Sequence, residues 1–187
     1  MRQHRLWYQS SYDRGVDVIL KLWPKIKAKF PDATLDIAYG WNLFDGAFSN
    51  NPERMGWKKR VQELMKQDGI TEHGRLGKTE LTKLRKECGV WVYPTYFTEI
   101  HCIGALEAQK DGLVPVVVNL AALDETVGSG IKVDGDIYDP DVKEKWLEGL
   151  FKVMGDEKFW KEESKKGIEF AQSHTWLNVA TQWSKIL

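Results

Sequence analysis

At 187 residues the chain suits one sizeable domain with a full hydrophobic core. Its 27 basic and 27 acidic side chains cancel, so no global field draws it to nucleic acid or to an anionic membrane. No apolar run is long enough to span a bilayer, the N-terminal MRQHRLWYQSS lacks a signal-peptide core, and Cys88 and Cys102 form no metal-ligand spacing. A cytoplasmic protein with reduced thiols is the default expectation.

Arg5 to Gln9 reads as a first strand, followed by the turn Ser10-Ser11-Tyr12-Asp13-Arg14-Gly15. Val16, Ile19, Leu20 and Trp23 recur at helical spacing, and Pro24 should kink that helix or end its regular part. Thr34 to Tyr39 is the next strand. The polar segment WNLFDGAFSNNPERMG is expected to be an excursion from regular structure, with a helix resuming over Trp57 to Lys66. A weak strand around Glu72 to Leu76 precedes a short helix marked by Leu81, Leu84 and Cys88.

Val90 to Tyr93 and Val114 to Val118 are short and almost wholly apolar, as buried parallel strands are; Ile131 to Val133 follows as a last strand. Between the first two of these, Glu99 lies in a loop and Glu107 inside a helix, ahead of a turn with Gly112 and Pro115. From Pro140 onward the pattern is helical. Trp146, Leu147, Leu150, Phe151 and Met154 line one face, Trp176, Val179, Ala180, Trp183 and Leu187 another, and DEKFWKEESKK between them reads as a solvated helix face. The alternation predicts a single α/β domain: a Rossmann-like, doubly wound parallel sheet of about six strands with helices on both faces and helices at the C-terminus.

Four features bear on chemistry. Gly77-Lys78-Thr79 resembles part of a phosphate-binding loop, but Glu72 stands where that loop needs glycine, so the segment reads as a turn and helix start with Thr79 as a cap. The turn after the first strand gathers hydroxyls, a guanidinium and a glycine at a strand's carboxyl end, which suits a phosphate group. Its alternative is a capped helix start with Asp13 as cap and Arg14 in solvent. The turn lacks Gly-x-Gly-x-x-Gly, which argues against a dinucleotide-dependent dehydrogenase.

Glu99 and Glu107 bracket a helix N-terminus, where free N–H groups favour an anion. The neighbours of Glu107 are mostly apolar, so its carboxylate needs a partner, and a ribose diol would satisfy both oxygens. His101 lies in the same loop, where it could donate to a phosphate or serve the helix start structurally; His4, His73 and His174 are scattered, and no metal site is expected.

Glu99-Ile-His-Cys-Ile-Gly-Ala-Leu-Glu107, then Ala108-Gln-Lys-Asp-Gly112-Leu-Val-Pro115-Val-Val-Val, resembles the Glu-x7-Glu signature of the C-terminal, donor-binding domain of GT-B glycosyltransferases, in particular the retaining family 4 enzymes. The family's motif continues Ala-x-x-x-Gly-x-Pro-Val-Val, with one residue fewer between glycine and proline. Tyr12-Asp13-Arg14-Gly15 resembles the family's diphosphate-contacting turn. Leu123-Asp-Glu-Thr126 and Gly128-Ser-Gly130 resemble its later turn and glycine loop. Leu22-Trp23-Pro24 and Tyr39-Gly40-Trp41-Asn42 are similar to a subset of these enzymes.

The resemblance implies one half of a GT-B fold over residues 1–187, with the N-terminal acceptor domain absent and the chain a fragment that is inactive alone. It implies that Glu107 binds the ribose of a nucleotide diphosphate sugar and that Glu99 sits at the reaction centre. The N–H groups of His101, Cys102 and Ile103 would face the diphosphate, Arg14 with Ser10 or Ser11 would hold the phosphates, and Gly74, Arg75 and Leu76 would approach the base. A glycosyl group would pass to an acceptor hydroxyl of a glycan, lipid or protein, without cofactor or metal, and any membrane contact would be made through the absent half. Two departures stand out. His101-Cys102 replaces the usual Phe-Gly, and Gln9 or Ser10 stands where the family carries a second basic residue. They motivate an alternative, a non-catalytic nucleotide-sugar-binding or scaffold domain with a degenerate site. A flavodoxin-like phosphate-binding regulator has no motif behind it.

Overall fold

The computed structural model describes residues 1–186; Leu187, expected on the last helix face, lies outside them. Six strands form one parallel sheet: β1 (Arg5–Tyr8), β2 (Thr34–Ile37), β3 (Ile70–Glu72), β4 (Val90–Tyr93), β5 (Val114–Val118) and β6 (Ile131–Val133), in the spatial order β3-β2-β1-β4-β5-β6. The chain leaves β1 toward one edge and returns through β4 toward the other, which opens a crevice between their carboxyl ends.

Among the described residues nine α-helices connect and cover the strands: α1 (Val16–Lys29), α2 (Asn42–Phe48), α3 (Pro52–Leu64), α4 (Lys78–Glu87), α5 (Ile103–Lys110), α6 (Leu123–Thr126), α7 (Pro140–Gly155), α8 (Glu157–Ser173) and α9 (Trp176–Trp183). α1 packs with α3, and α4 is tied to α5 by the Arg85–Glu107 ion pair, as right-handed crossovers on opposite faces of the sheet require. Contact between Phe30 and Phe151 joins α7 to the α1 side, and α8 packs on α5. The buried strands are apolar on both faces, with Leu6, Leu35, Val90 and Val114 fully enclosed.

Several local expectations needed correction. Pro24 neither ends nor interrupts α1. A proline at that position leaves the Leu20 carbonyl without its helical N–H, and Gln67 Nε2 donates to that oxygen at 2.8 Å. The polar segment after β2 is not an excursion but two helices. Asn51 caps α3 by accepting from the Arg54 N–H at 3.0 Å, with Pro52 at the first helical position. Trp41, Phe44, Phe48 and Trp57 form a ring cluster, and the Arg54 guanidinium lies against three of them, 4.4 Å from the Phe48 ring centroid and near Phe44 and Trp57.

β3 ends at Glu72, because Gly74 turns the chain with a φ of 66°. Gly77, not Thr79, caps α4, and Glu80 Oε2 accepts the Gly77 N–H at 3.3 Å. The charged run in α8 is only partly a solvated face. Glu163 and Ser164 are buried, accepting from the Gly130 N–H at 2.6 Å and donating to the Gly112 carbonyl at 2.7 Å. On α9, Trp176 and Trp183 are exposed, whereas Trp7, Trp23, Trp91 and Trp146 are enclosed in the core. No helix among the described residues is long and apolar enough to cross a membrane.

Candidate functional site

The crevice between β1 and β4 is built from two loops, residues 9–15 and 94–102. Gly15 brings them together. Its φ is 109°, and a Cβ there would lie 2.1 Å from the Pro94 carbonyl oxygen, so only glycine allows the β4 loop to rest on the β1 turn. This close approach places Arg14 against Glu99.

Arg14 Nη1 donates to Glu99 Oε1 at 3.1 Å, and the Tyr93 hydroxyl donates to the same oxygen at 2.5 Å. Ser10 Oγ lies 3.1 Å from the Tyr93 hydroxyl, so strand β4 and the β1 turn share one network. The Arg14 guanidinium also stacks 3.6 Å over the Phe97 ring centroid. Burial, reinforced by the bond to Glu99, pushes the Tyr93 hydroxyl well above its ordinary range, so it stays protonated as a donor. The alternative reading of this turn, with Asp13 as helix cap and Arg14 in solvent, is not what forms: Gly15 is the N-cap, and Asp13 is held by Arg54 at 2.6 Å and by Ser11 Oγ at 2.7 Å.

Ser10 and Ser11 therefore stand in the crevice, but both hydroxyls already have internal partners. The start of α5 lies beside Glu99. Cys102 is its N-cap, His101 and Ile103 are exposed, and the Ile103 N–H is turned to the His101 carbonyl at 3.2 Å. Of the three amides expected to face an anion, Ile103's is thus already engaged. Burial raises the Cys102 thiol to about 11, which keeps it neutral.

Gly74, Arg75 and Leu76 follow β3 at the same edge of the sheet. Gly40 lets them approach: with a φ of 83°, its Cβ would lie 2.9 Å from the Arg75 amide nitrogen. Glu72, which disqualified a phosphate loop, accepts from the Gly74 N–H at 3.0 Å and from the Tyr12 hydroxyl.

Glu107, on α5, is more exposed than Glu99, at 30% against 13% of the side chain, and it has an internal partner. Arg85 Nη1 of α4 donates to Glu107 Oε2 at 2.9 Å, and Arg85 Nε donates to Asp111 Oδ2 at 2.7 Å. Among the described residues Glu107 Oε1 has no partner, so it is the oxygen freest to take a ligand hydroxyl, while Oε2 shares its lone pairs with Arg85. Sequence reasoning overlooked Arg85 and Tyr93. Arg85 carried a signal, since it falls on the apolar face marked by Leu81, Leu84 and Cys88, where a lone cation implies a buried acid.

A cavity of about 290 Å³ adjoins Arg14 and is walled by Asp13, Tyr39, Phe44, Tyr96 and Phe97. A larger one of about 810 Å³ opens at the amino edge of the sheet, near Arg5 and Asp36, away from both glutamates. Among the described residues no cluster of three or more histidine, cysteine, aspartate or glutamate side chains could hold a metal ion.

This parallel sheet with its crevice defines a Rossmann-like α/β domain, and residues 9–173 match the family model of group 1 glycosyl transferases. The chain belongs to that family. Its fold is that of solved GT-B halves. It superposes on the pneumococcal O-GlcNAc transferase GtfA, solved in complex with UDP and GlcNAc, with a TM-score of 0.76 and 13% identity, covering 99% of this chain and 35% of that one. Sucrose-phosphate synthase from Thermosynechococcus elongatus gives a TM-score of 0.73 at 21% identity, over 97% and 44% of the two chains. A glycosyltransferase from Rickettsia africae gives 0.71 at 14% identity, over 96% and 45%. The chain thus spans less than half the length of these structures, and the likeness is one of fold. Curated protein sequences gave no match.

Proposed function

We propose that this domain binds a nucleotide diphosphate sugar in the β1–β4 crevice and serves as the donor half of a retaining, family 4 type glycosyltransferase. The observation that carries the reading is the junction of Arg14, Glu99 and the α5 start at the carboxyl edge of the sheet. There a fixed cation and helix amides can receive a diphosphate, while a carboxylate stands beside the bond to be broken.

In this reading the C–O bond between the sugar's anomeric carbon and the diphosphate breaks, and the electron pair leaves with the phosphate. Arg14 and the amides of His101 and Cys102 stabilise that charge. Glu99 faces the positive charge that develops at the anomeric carbon, and Tyr93 fixes which of its oxygens does so. Glu107 takes a ribose hydroxyl, and Gly74 to Leu76 approach the base. The acceptor hydroxyl is supplied opposite this wall by another domain, so the chain alone transfers little. That the pneumococcal neighbour was solved with UDP supports a nucleotide as the ligand class.

Calorimetric titration of UDP-, GDP- and ADP-sugars into wild type and Glu107→Ala tests this. Binding by one donor that the substitution abolishes is expected; no binding by any donor would overturn it. The scaffold alternative is favoured by one observation, that both glutamates already have arginine partners. It predicts the second outcome.

A further inference from the structure

Arg85 is the most enclosed cation near the crevice, with 4% of its side chain exposed. Besides Asp111, it holds two residues with the same nitrogen. Nη1 donates to Glu107 Oε2 at 2.9 Å and to Gln9 Oε1 at 3.1 Å. Trp7 Nε1 donates to that same Gln9 oxygen at 3.2 Å. Two N–H donors converging on one atom require it to be the amide oxygen, because an NH₂ in its place would oppose both. The Gln9 NH₂ group therefore points away from the buried guanidinium. Among the described residues it has no hydrogen-bond partner, and neither has Glu107 Oε1.

Hydrogen-bond polarity decides what this arrangement can receive. Arg85 and Arg2 both stand beside the 5% exposed Asp111, whereas Glu107 is 30% exposed and meets only Arg85. The accessible acceptor is therefore Glu107 Oε1, which suits a group that donates hydrogen bonds. A carboxylate oxygen only accepts and an amide NH₂ only donates, whereas each hydroxyl of a vicinal diol can do both. Gln9 ends β1 at the switch point and Glu107 rises from α5 beside it, so the two readers stand side by side on one buried anchor.

The geometry points to Gln9 and Glu107 as a matched pair that reads the ribose diol, Gln9 donating to one hydroxyl and Glu107 Oε1 accepting from its neighbour, with Arg85 as the positioning residue for both. The inference rests on the donor-binding reading above and adds to it a second reader and the residue that orients it. It also gives Gln9 a use: a neutral donor beside the Glu107 carboxylate.

Calorimetry with UDP, GDP and ADP, each against its 2′,3′-dideoxy counterpart, tests it on the whole chain. The diol should be worth about tenfold or more in affinity for the preferred nucleotide. Gln9→Ala and Gln9→Glu should shrink that ratio to within about threefold while leaving dideoxy affinity near that of wild type. Arg85→Lys, which keeps a charge but cannot span three acceptors, should shrink it likewise. A ratio unchanged in Gln9→Ala would overturn the pair, and so would a wild-type ratio of one. Absence of all nucleotide binding would overturn both this inference and the donor reading, so the two failures are distinguishable. Gln9 is half-exposed, so its variants keep the test decisive if Arg85→Lys does not fold.

Discussion

Arg14 and Glu99 meet through a single carboxylate oxygen, Oε1, that the Tyr93 hydroxyl also engages. Glu99 thereby keeps Oε2 for another partner, and Arg14 keeps the rest of its guanidinium. A diphosphate in the crevice would compete with Glu99 for Arg14. Arg14→Ala should weaken nucleoside diphosphate binding by about 1.5–3 kcal/mol, the range for a hydrogen bond to a charged group, whereas Glu99→Gln should leave it unchanged or slightly tighter. Calorimetry with the preferred nucleoside diphosphate checks both; tighter binding by Arg14→Ala would speak against the assignment.

The loop junction depends on Gly15. Gly15→Ala would add a Cβ 2.1 Å from the Pro94 oxygen at a backbone φ of 109°. The strained conformation alone costs about 1–3 kcal/mol, and the clash adds to it. The urea midpoint should fall, and nucleotide affinity should fall with it because Arg14 and Glu99 are displaced. An unchanged midpoint would show that the loops do not meet there.

Arg85 and Asp111 form a buried ion pair, at 4% and 5% exposure. Removing the cation leaves a buried carboxylate, so Arg85→Met should destabilise the fold by about 3–5 kcal/mol. Arg85→Met with Asp111→Asn should recover part of the loss, because the stranded charge is gone. Denaturant unfolding of the two variants measures the difference.

Cys102 supplies a pH dependence. Burial lifts its thiol from the ordinary 9.0 to about 11. The unfolded chain then releases this proton before the folded one does. The contribution to stability is complete below pH 9 and is lost as pH rises through about 11. In the folded chain at pH 8, the thiolate fraction should be about a hundredfold below that of an ordinary cysteine. Alkylation by iodoacetamide should be correspondingly slow, and fast alkylation would contradict the burial.

Much of this was legible in the sequence, for reasons that show where such reading stops. β4 and β5 were plain because buried parallel strands are apolar throughout, and the two glutamates drew notice because the helix between them is poor in charge. The helix over Trp57 to Lys66 was legible, but α2 and the first turn of α3 were not, because the aromatic spacing of Trp41, Phe44 and Phe48 is diluted by asparagine, glycine and serine. Phe44, Phe48 and Trp57 pack around Arg54 only in the folded chain. The partners of the glutamates were beyond reach for another reason. Arg85 lies 22 residues from Glu107, and Arg14 lies 85 from Glu99, so the sheet topology alone brings each pair together.

The central claim is that a nucleotide occupies the β1–β4 crevice. Amide and indole NMR spectra recorded while UDP, GDP and ADP are titrated test it most directly. The account predicts saturable shifts at Arg14, Cys102, Ile103 and Leu76, and at the Trp7 indole N–H that is bonded to Gln9. Shifts confined to the amino edge near Arg5 and Asp36, or none with any of the three nucleotides, would contradict it.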